Sequence, residues 1–242
     1  MTQAKNNKKS IRFAGEIALV AMFLLGGCAT SGNPRDPIEG VNRAVFALNN
    51  GLDRAVLRPV AKGYDAVVPT PAKNGVANFF GNIADVFIGV NNLFQGKVRD
   101  GASDGGRVLV NSTIGILGLF DFATDFGLEK HDEDFGQTFG RWGIGTGAYV
   151  VVPLWGPRDV RDSIGLVLDT AADPVADINN VAARNTLLVT RLVSDRAALL
   201  PAEKVIEDAA LDKYSYIRDA YLQRRRNLIY DGSPPHDDND SL

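Results

Sequence analysis

Apolar positions recur along most of this chain at spacings of three and four, and the elements they predict are helices. The first opens at Asp36-Pro37-Ile38-Glu39, with Asp36 as its cap, Pro37 at the first position and Glu39 at the third. It carries Val41, Val45, Leu48, Leu52 and Val56 on one stripe. The second runs from about Asn74 to Gln95, and its apolar residues form adjacent double stripes that include Phe79, Phe80, Phe87 and Phe94. That face is wider than a core-facing helix needs. Burial in the core is the expectation, and a helix lying in a membrane interface is the alternative.

From Val108 to Leu128 the apolar run is interrupted by Asn111, Asp121 and Asp125. Its longest clean part, Ile114 to Phe120, would span only ~10 Å as helix at 1.5 Å per residue. No segment after the leader is long enough to cross a bilayer as a helix, though several could dip into one leaflet. The acidic run Glu129 to Asp134 reads as a solvated turn. Further on, the pattern predicts helices at about Asp162 to Ala171, Val181 to Leu200, and one last helix from Pro201 to about Tyr230. Arg224, Arg225 and Arg226 suit the negative end of that last helix. No internal repeat or domain linker is visible.

Between these helices lies the stretch around which the rest is arranged, Phe135 to Asp162. Phe135 and Phe139, and Gly136 and Gly140, are spaced for one helical turn. The period then changes to two, with Gly143, Gly145 and Gly147 alternating with Trp142, Ile144, Thr146 and Ala148. In an extended chain this gives one bare face, open to another backbone or a ligand. Tyr149 to Val152 reads as a short buried strand ended by Pro153, and Trp155-Gly156-Pro157 as a turn. No nucleophile or base is present in this stretch, so it reads as a shaped, mobile, mostly apolar element.

Composition narrows the picture. The chain of 242 residues can bury a sizeable core, and its 25 glycines sit inside apolar runs, which favours close packing over flexible linkers. The N-terminus carries Lys5, Lys8, Lys9 and Arg12 ahead of an apolar Ile17 to Leu25 too short to span a bilayer. Leu25-Gly26-Gly27-Cys28 resembles the bacterial lipobox, and Cys28 is the only cysteine. Residues 1–27 are thus expected to be a lipoprotein signal peptide and 28–35 an acylated tether, with acyl chains on Cys28 holding the protein to a membrane. Ala29 after the cysteine, rather than Asp, points to the periplasmic face of the outer membrane. Removing the leader takes four cations and one anion from the 26 and 29 present, leaving 22 and 28, a balance near −6. Nucleic acid is therefore excluded as a partner. Residues 36–232 are expected to form one helical domain, and 233–242 a disordered tail.

Candidate chemistry is sparse. Gly101-Ala102-Ser103-Asp104-Gly105 matches G-x-S-x-G, but it follows a charged segment rather than a buried strand, and only His131 and His236 are available as a base. No phosphate-binding loop or H-E-x-x-H pattern occurs, and Asp132-Glu133-Asp134 lacks the spacing of a calcium loop. No catalytic residue, metal site or cofactor is assigned.

Several segments in order resemble one family. They are Cys28 in its lipobox, Asp36-Pro37-Ile38-Glu39-Gly40-Val41-Asn42-Arg43, Arg58-Pro59-Val60-Ala61, Pro71-Ala72-Lys73-Asn74-Gly75, and Phe135-Gly136-Gln137-Thr138-Phe139-Gly140 through Gly156-Pro157-Arg158. Together they are similar to the MlaA (VacJ) phospholipid-transport lipoproteins, with Ala148 standing where that family usually has proline. The resemblance implies a mainly α fold, a single ring-like bundle of amphipathic helices lying in one membrane leaflet, with the Gly-rich segment irregular or briefly extended. It implies an outer-membrane lipoprotein in the inner leaflet, on the periplasmic side. Such a protein extracts mislocalised phospholipid from the outer leaflet through an amphipathic channel, beside a trimeric porin, and passes it to a soluble periplasmic carrier. Asp36, Pro37, Glu39, Asn42 and Arg43 carry the family motif, and Trp142, Gly143, Gly145, Gly147 and Tyr149 are the candidate channel or gate. A structural adaptor tethering porins is the alternative, and a lipid hydrolase using Ser103 a third reading.

Overall fold

The computed structural model describes residues 33–235. The expected signal peptide, Cys28, most of the expected tether and the end of the expected tail lie outside them. The first helix, α1 (Glu39–Leu52), begins two residues later than the sequence pattern suggests, with Ile38 in the cap position. Asp36 is not its cap. Its carboxylate is fully buried and accepts hydrogen bonds from Asn42 Nδ2 at 2.8 Å and the Tyr214 hydroxyl at 2.5 Å. A π-helical turn, Asp53–Leu57, joins α1 to α2 (Arg58–Val67). Pro59 in the first turn of α2 has no N–H to donate back along the helix, and the widened turn sits where that bond would fall.

Helix α3 (Thr70–Phe94) inverts the expectation of core burial. Its buried positions include Asn82, Asp85, Asn91 and Asn92, while Val86, Val90, Leu93 and Phe94 are exposed. Asn82, Asp85 and Asn92 fall at i, i+3 and i+10, so one helical face is polar and turned inward. Helix α4 (Val98–Thr113) packs closely along α3. The G-x-S-x-G segment lies within α4, and Gly101 is there for contact, since a Cβ at this position would come within 2.8 Å of Leu93. Buried Arg107 of α4 donates to Asp85 at 3.1 Å and to both oxygens of Asp121 at 3.0 and 2.9 Å. The apolar tip 114–120 leaves the helix, with Ile116 and Leu117 in the left-handed region at φ 52° and 58° and both side chains exposed. After the short α5 (Phe122–Asp125), the acidic run is a neutralised junction rather than a solvated turn. Lys130 bonds Asp85 at 2.6 Å, His131 Nδ1 bonds Asp104 at 2.8 Å, and Glu133 receives Lys97 at 2.8 Å.

Asp134 caps α6 (Phe135–Arg141) through the Gln137 N–H. Strands β1 (Tyr149–Val152) and β2 (Gly156–Asp159) form an antiparallel hairpin pairing Tyr149 with Asp159 and Val152 with Gly156. The turn is Pro153 to Trp155, so Gly156 and Pro157 belong to a strand rather than to the turn. Asp159 caps α7 (Val160–Ala172), and α8 (Val181–Ala198) follows. The single last helix expected from Pro201 is two, α9 (Leu200–Ala209) and α10 (Lys213–Ile229), with Asp212 capping the second through the Tyr214 N–H.

The elements contact one another in a closed circuit: α1, the π turn, α2, α8, α3, α6, α7, the hairpin, and back to α1. Helix α10 packs across α6 and β2. The fold is therefore mainly helical and ring-like, with one small sheet in its wall. Seventeen polar or charged residues are buried among those described, against eleven apolar ones. Exposed apolar side chains occur along α1, α3, the 114–120 tip and α7. This distribution is the reverse of a water-soluble domain. Among the described residues, no helix is long and apolar enough to cross a membrane.

Candidate functional site

Inside the circuit, between the α1 and π-turn side and the facing stripe of α8, lies a cleft of about 840 Å³. Its apolar walls include Leu52, Val56, Leu188 and Leu192, and its polar groups are Asn49, Asp53, Arg191 and Asp195. A second cavity of about 350 Å³ adjoins it, sharing Asn49, Asp53 and Gly156, and continues to Ile206 and Ile217. Together they make a continuous amphipathic cleft bounded by α1, α8, α9, α10 and the hairpin.

The walls are held by polar side chains. Asn49 Nδ2 donates to Val152 O at 3.0 Å and its Oδ1 accepts from Leu154 N at 2.9 Å, which clamps the hairpin turn to α1. That clamp holds Leu154 at φ 70°, a conformation that disfavours a branched side chain. Asn42, two turns earlier, does the same for the strand, donating to Tyr149 O at 3.0 Å and accepting from Val151 N at 2.9 Å. On the facing side, Arg196 makes a two-point pair with Asp53 at 2.7 and 2.8 Å and bonds Glu203 at 2.6 Å. The Arg196 guanidinium holds the Asp53 carboxyl below the usual carboxylate range. Arg191 pairs with Asp173 and lies 5.8 Å over the Phe80 ring. Burial pushes the Asp195 carboxyl up.

The motif residues assemble into a clasp rather than a binding site. Asp36, Asn42, Tyr214 and Arg218 form one buried network, and Arg43 joins Glu39 at 2.7 Å to Asp212 at 2.7 Å while stacking on Tyr214 at 4.3 Å. Pro37 lies in the turn that leads Asp36 into this network. A second clasp joins α6, α7 and α10: Arg225 bonds Asp134 at 2.6 and 2.8 Å, and the Tyr221 hydroxyl bonds Asp162 at 2.5 Å.

Of the candidate gate, Trp142, Gly143, Gly145 and Gly147 lie on an exposed irregular loop. Gly143 and Gly147 have φ 88° and 69°, and nothing lies near a Cβ built at Gly143 or Gly145. Trp142 Nε1 anchors the loop to Phe94 O at 3.0 Å. Tyr149 stands apart from the loop, buried in the strand against Tyr214 and Tyr221. His131 reaches Asp104 at 2.8 Å and Asp100 at 3.9 Å, so the base needed for Ser103 is engaged by carboxylates. The passage residues Asn49, Asp53, Arg191 and Asp195 were not singled out as a site by sequence. A signal existed in α8, where Arg191 and Asp195 share one stripe with Leu188 and Leu192, an arrangement no apolar core tolerates.

Comparison with known proteins bears on this geometry. Residues 34–228 match the family model for the MlaA lipoprotein. A Shigella flexneri protein named intermembrane phospholipid transport system lipoprotein MlaA is 34% identical over 209 residues, 83% of this chain and 82% of that protein. The Escherichia coli K12 protein of that name matches equally, and the Haemophilus influenzae one is 29% identical over 89% of this chain and 90% of its own length. A solved chain from work on the structural basis for maintenance of bacterial outer membrane lipid asymmetry superposes with a TM-score of 0.70 at 32% identity. The match covers 80% of this chain and 98% of that one.

Proposed function

The chain belongs to the MlaA lipoprotein family, and on that premise we propose that it draws phospholipid from the outer leaflet of the outer membrane through the passage between α1 and α8. It is a component of intermembrane phospholipid transport that maintains outer-membrane lipid asymmetry. The observation that carries the route is the amphipathic passage: leucine and valine walls suited to acyl chains, with a few fixed charges suited to a headgroup. In this reading the ring lies in the inner leaflet with Cys28 as its anchor, and the exposed apolar side chains of α3 and the 114–120 tip support it, since they would lie among acyl chains. A trimeric porin at the apolar rim and a soluble periplasmic carrier complete the route as partners. In this reading the lipid is moved without a bond being made or broken, and both ring nitrogens of His131, the candidate base, face carboxylates.

The test is the phospholipid accessible to an impermeant amine-reactive label on intact cells, comparing wild type, a null strain, and the null carrying Ser103→Ala. Accumulation in the null, cleared by Ser103→Ala as well as by wild type, supports transport without catalysis. Failure of Ser103→Ala with release of lysophospholipid would return the hydrolase. A null indistinguishable from wild type would leave the porin-tethering adaptor as the better account.

A further inference from the structure

We propose that the acidic segment His236 to Leu242 docks in a polar groove on the outward face of α10, as a cap that the protein carries for itself. The groove holds about 490 Å³ and follows one stripe of α10, Tyr216, Asp219, Gln223 and Arg226, and it is also lined by Arg35. The α10 positions step by three and four, so they lie in line along the helix. From Tyr216 to Arg226 the stripe is ~15 Å long at 1.5 Å per residue. It shares no lining residue with the cleft between α1 and α8.

The chain after α10 is led to this groove. Asp231 and Gly232 take φ of 51° and 81°, which turns the backbone, and Gly232 N and Ser233 N bond back to Asn227 O and Tyr230 O at 2.9 Å each. The Pro235 carbonyl then accepts from the Arg226 guanidinium, so the last described residue stands at one end of the stripe. Pro234 and Pro235 restrict the backbone at this exit. The seven residues from His236 to Leu242 can span up to ~23 Å when extended, more than the stripe requires. Charge supplies the second argument. The segment carries Asp237, Asp238 and Asp240, and the groove offers Arg35 and Arg226. Asp219, the acidic residue lining the groove, is held by Arg218 at 2.8 Å, which offsets its repulsion. Arg35 is fixed through its backbone, with its carbonyl accepting from Tyr149 N at 2.9 Å and its N–H donating to Asn33 Oδ1 at 3.0 Å, while its side chain is exposed.

The experiment uses the full-length protein in membranes, with photoreactive p-benzoylphenylalanine in place of Gln223 and the cross-linked peptides mapped by mass spectrometry. Gln223 is exposed, so the probe displaces no core, and a second chain carries it at exposed Val67 of α2 as the control. Position 223 cross-links to residues 236–242, and position 67 does not. Asp237→Asn with Asp238→Asn and Asp240→Asn, or salt near ~1 M, where charges are screened within ~3 Å, lowers that yield about tenfold. Arg226→Glu lowers it as well, and Arg226→Glu combined with Asp237→Lys and Asp238→Lys restores it. Absence of the cross-link at position 223, a yield equal to that at position 67, or a yield indifferent to the three Asp→Asn changes overturns the proposal and leaves the segment to a partner outside this chain.

Discussion

The hydroxyl of Tyr214 donates to the carboxylate of Asp36 at 2.5 Å, across 178 residues of sequence, and so ties the segment leading into α1 to the last helix, α10. Asp36 is fully buried and Tyr214 nearly so. Burial, together with the Asp36 bond, pushes the Tyr214 phenol far above its usual range, so it acts as a donor at every accessible pH. Tyr214→Phe removes one donor from a buried carboxylate and should lower stability by about 1–3 kcal/mol. Thermal unfolding of the purified protein reads this. A variant as stable as wild type would mean that Asp36 is satisfied without the Tyr214 hydroxyl.

Arg107 is a stronger case. Its guanidinium is the meeting point of Asp85 on α3 and Asp121 before α5, with Leu128 O accepting at 2.8 Å. Arg107→Ala leaves those carboxylates without their shared cation and should cost about 3–5 kcal/mol. Arg107→Lys should recover little, because a single ammonium cannot span both acids and the carbonyl. The yield of folded protein in membranes is the measurement.

Two buried acids set a pH dependence. Burial, followed by the charge of Asp162, pushes the Asp159 carboxyl up to about 6 from 3.8. Burial, followed by Asp134, pushes Asp169 up to about 6. An acid with a raised folded pKa binds its proton more tightly when folded. Its contribution is therefore favourable near pH 4, is lost as pH rises to about 6, and stays lost above. Asp159→Asn, which keeps an oxygen to cap α7, should raise stability at pH 7 by about 1–3 kcal/mol after allowance for screening. It should also flatten the slope between pH 4 and 6, as unfolding curves across that range would show. A steeper slope would contradict the assignment.

Glycines divide by what surrounds them. A Cβ at Gly165 would lie 2.4 Å from the backbone N of Gly136, so Gly165→Ala forces α6 and α7 apart and should cost about 3 kcal/mol or more. Gly145 has nothing near it, so Gly145→Trp should leave the amount of protein in the membrane unchanged. If the loop gates the passage, lipid flux changes in that variant; a wild-type flux would make the loop an ordinary surface connection.

Much of this was legible in the chain. The helical periods, the strand at Tyr149 to Val152 and the turn of helix at Phe135 to Phe139 follow from local spacing, and the structure has them. What local spacing missed is the inversion of α3. Its wide apolar face suggested a core, because the rule that apolar residues go inside presumes water outside. Asn82, Asp85 and Asn92 carried the contrary signal, a polar stripe of helical period that only an inward-facing network could satisfy. Asp36 looked like a helix cap because Asp-Pro at a helix start usually is one; its partners Asn42, Tyr214 and Arg218 come from distant sequence. The cleft was likewise hidden, since Asn49 and Asp195 come to line one cavity only when the circuit closes. The break between α9 and α10 left no trace in the apolar line, although Asp212, three residues before Ser215, is a capping signal in retrospect.

The central claim is that lipid moves between α1 and α8. The most direct measurement is surface-exposed phospholipid, by impermeant amine label, on null cells carrying Val56→Trp with Leu192→Trp. Both residues are more than half exposed to the cleft or its mouth, so the added rings fill space rather than displace the core. The variant should reach the membrane in normal amount yet leave surface phospholipid at the level of the null. Full clearance by a passage filled in this way would contradict the account.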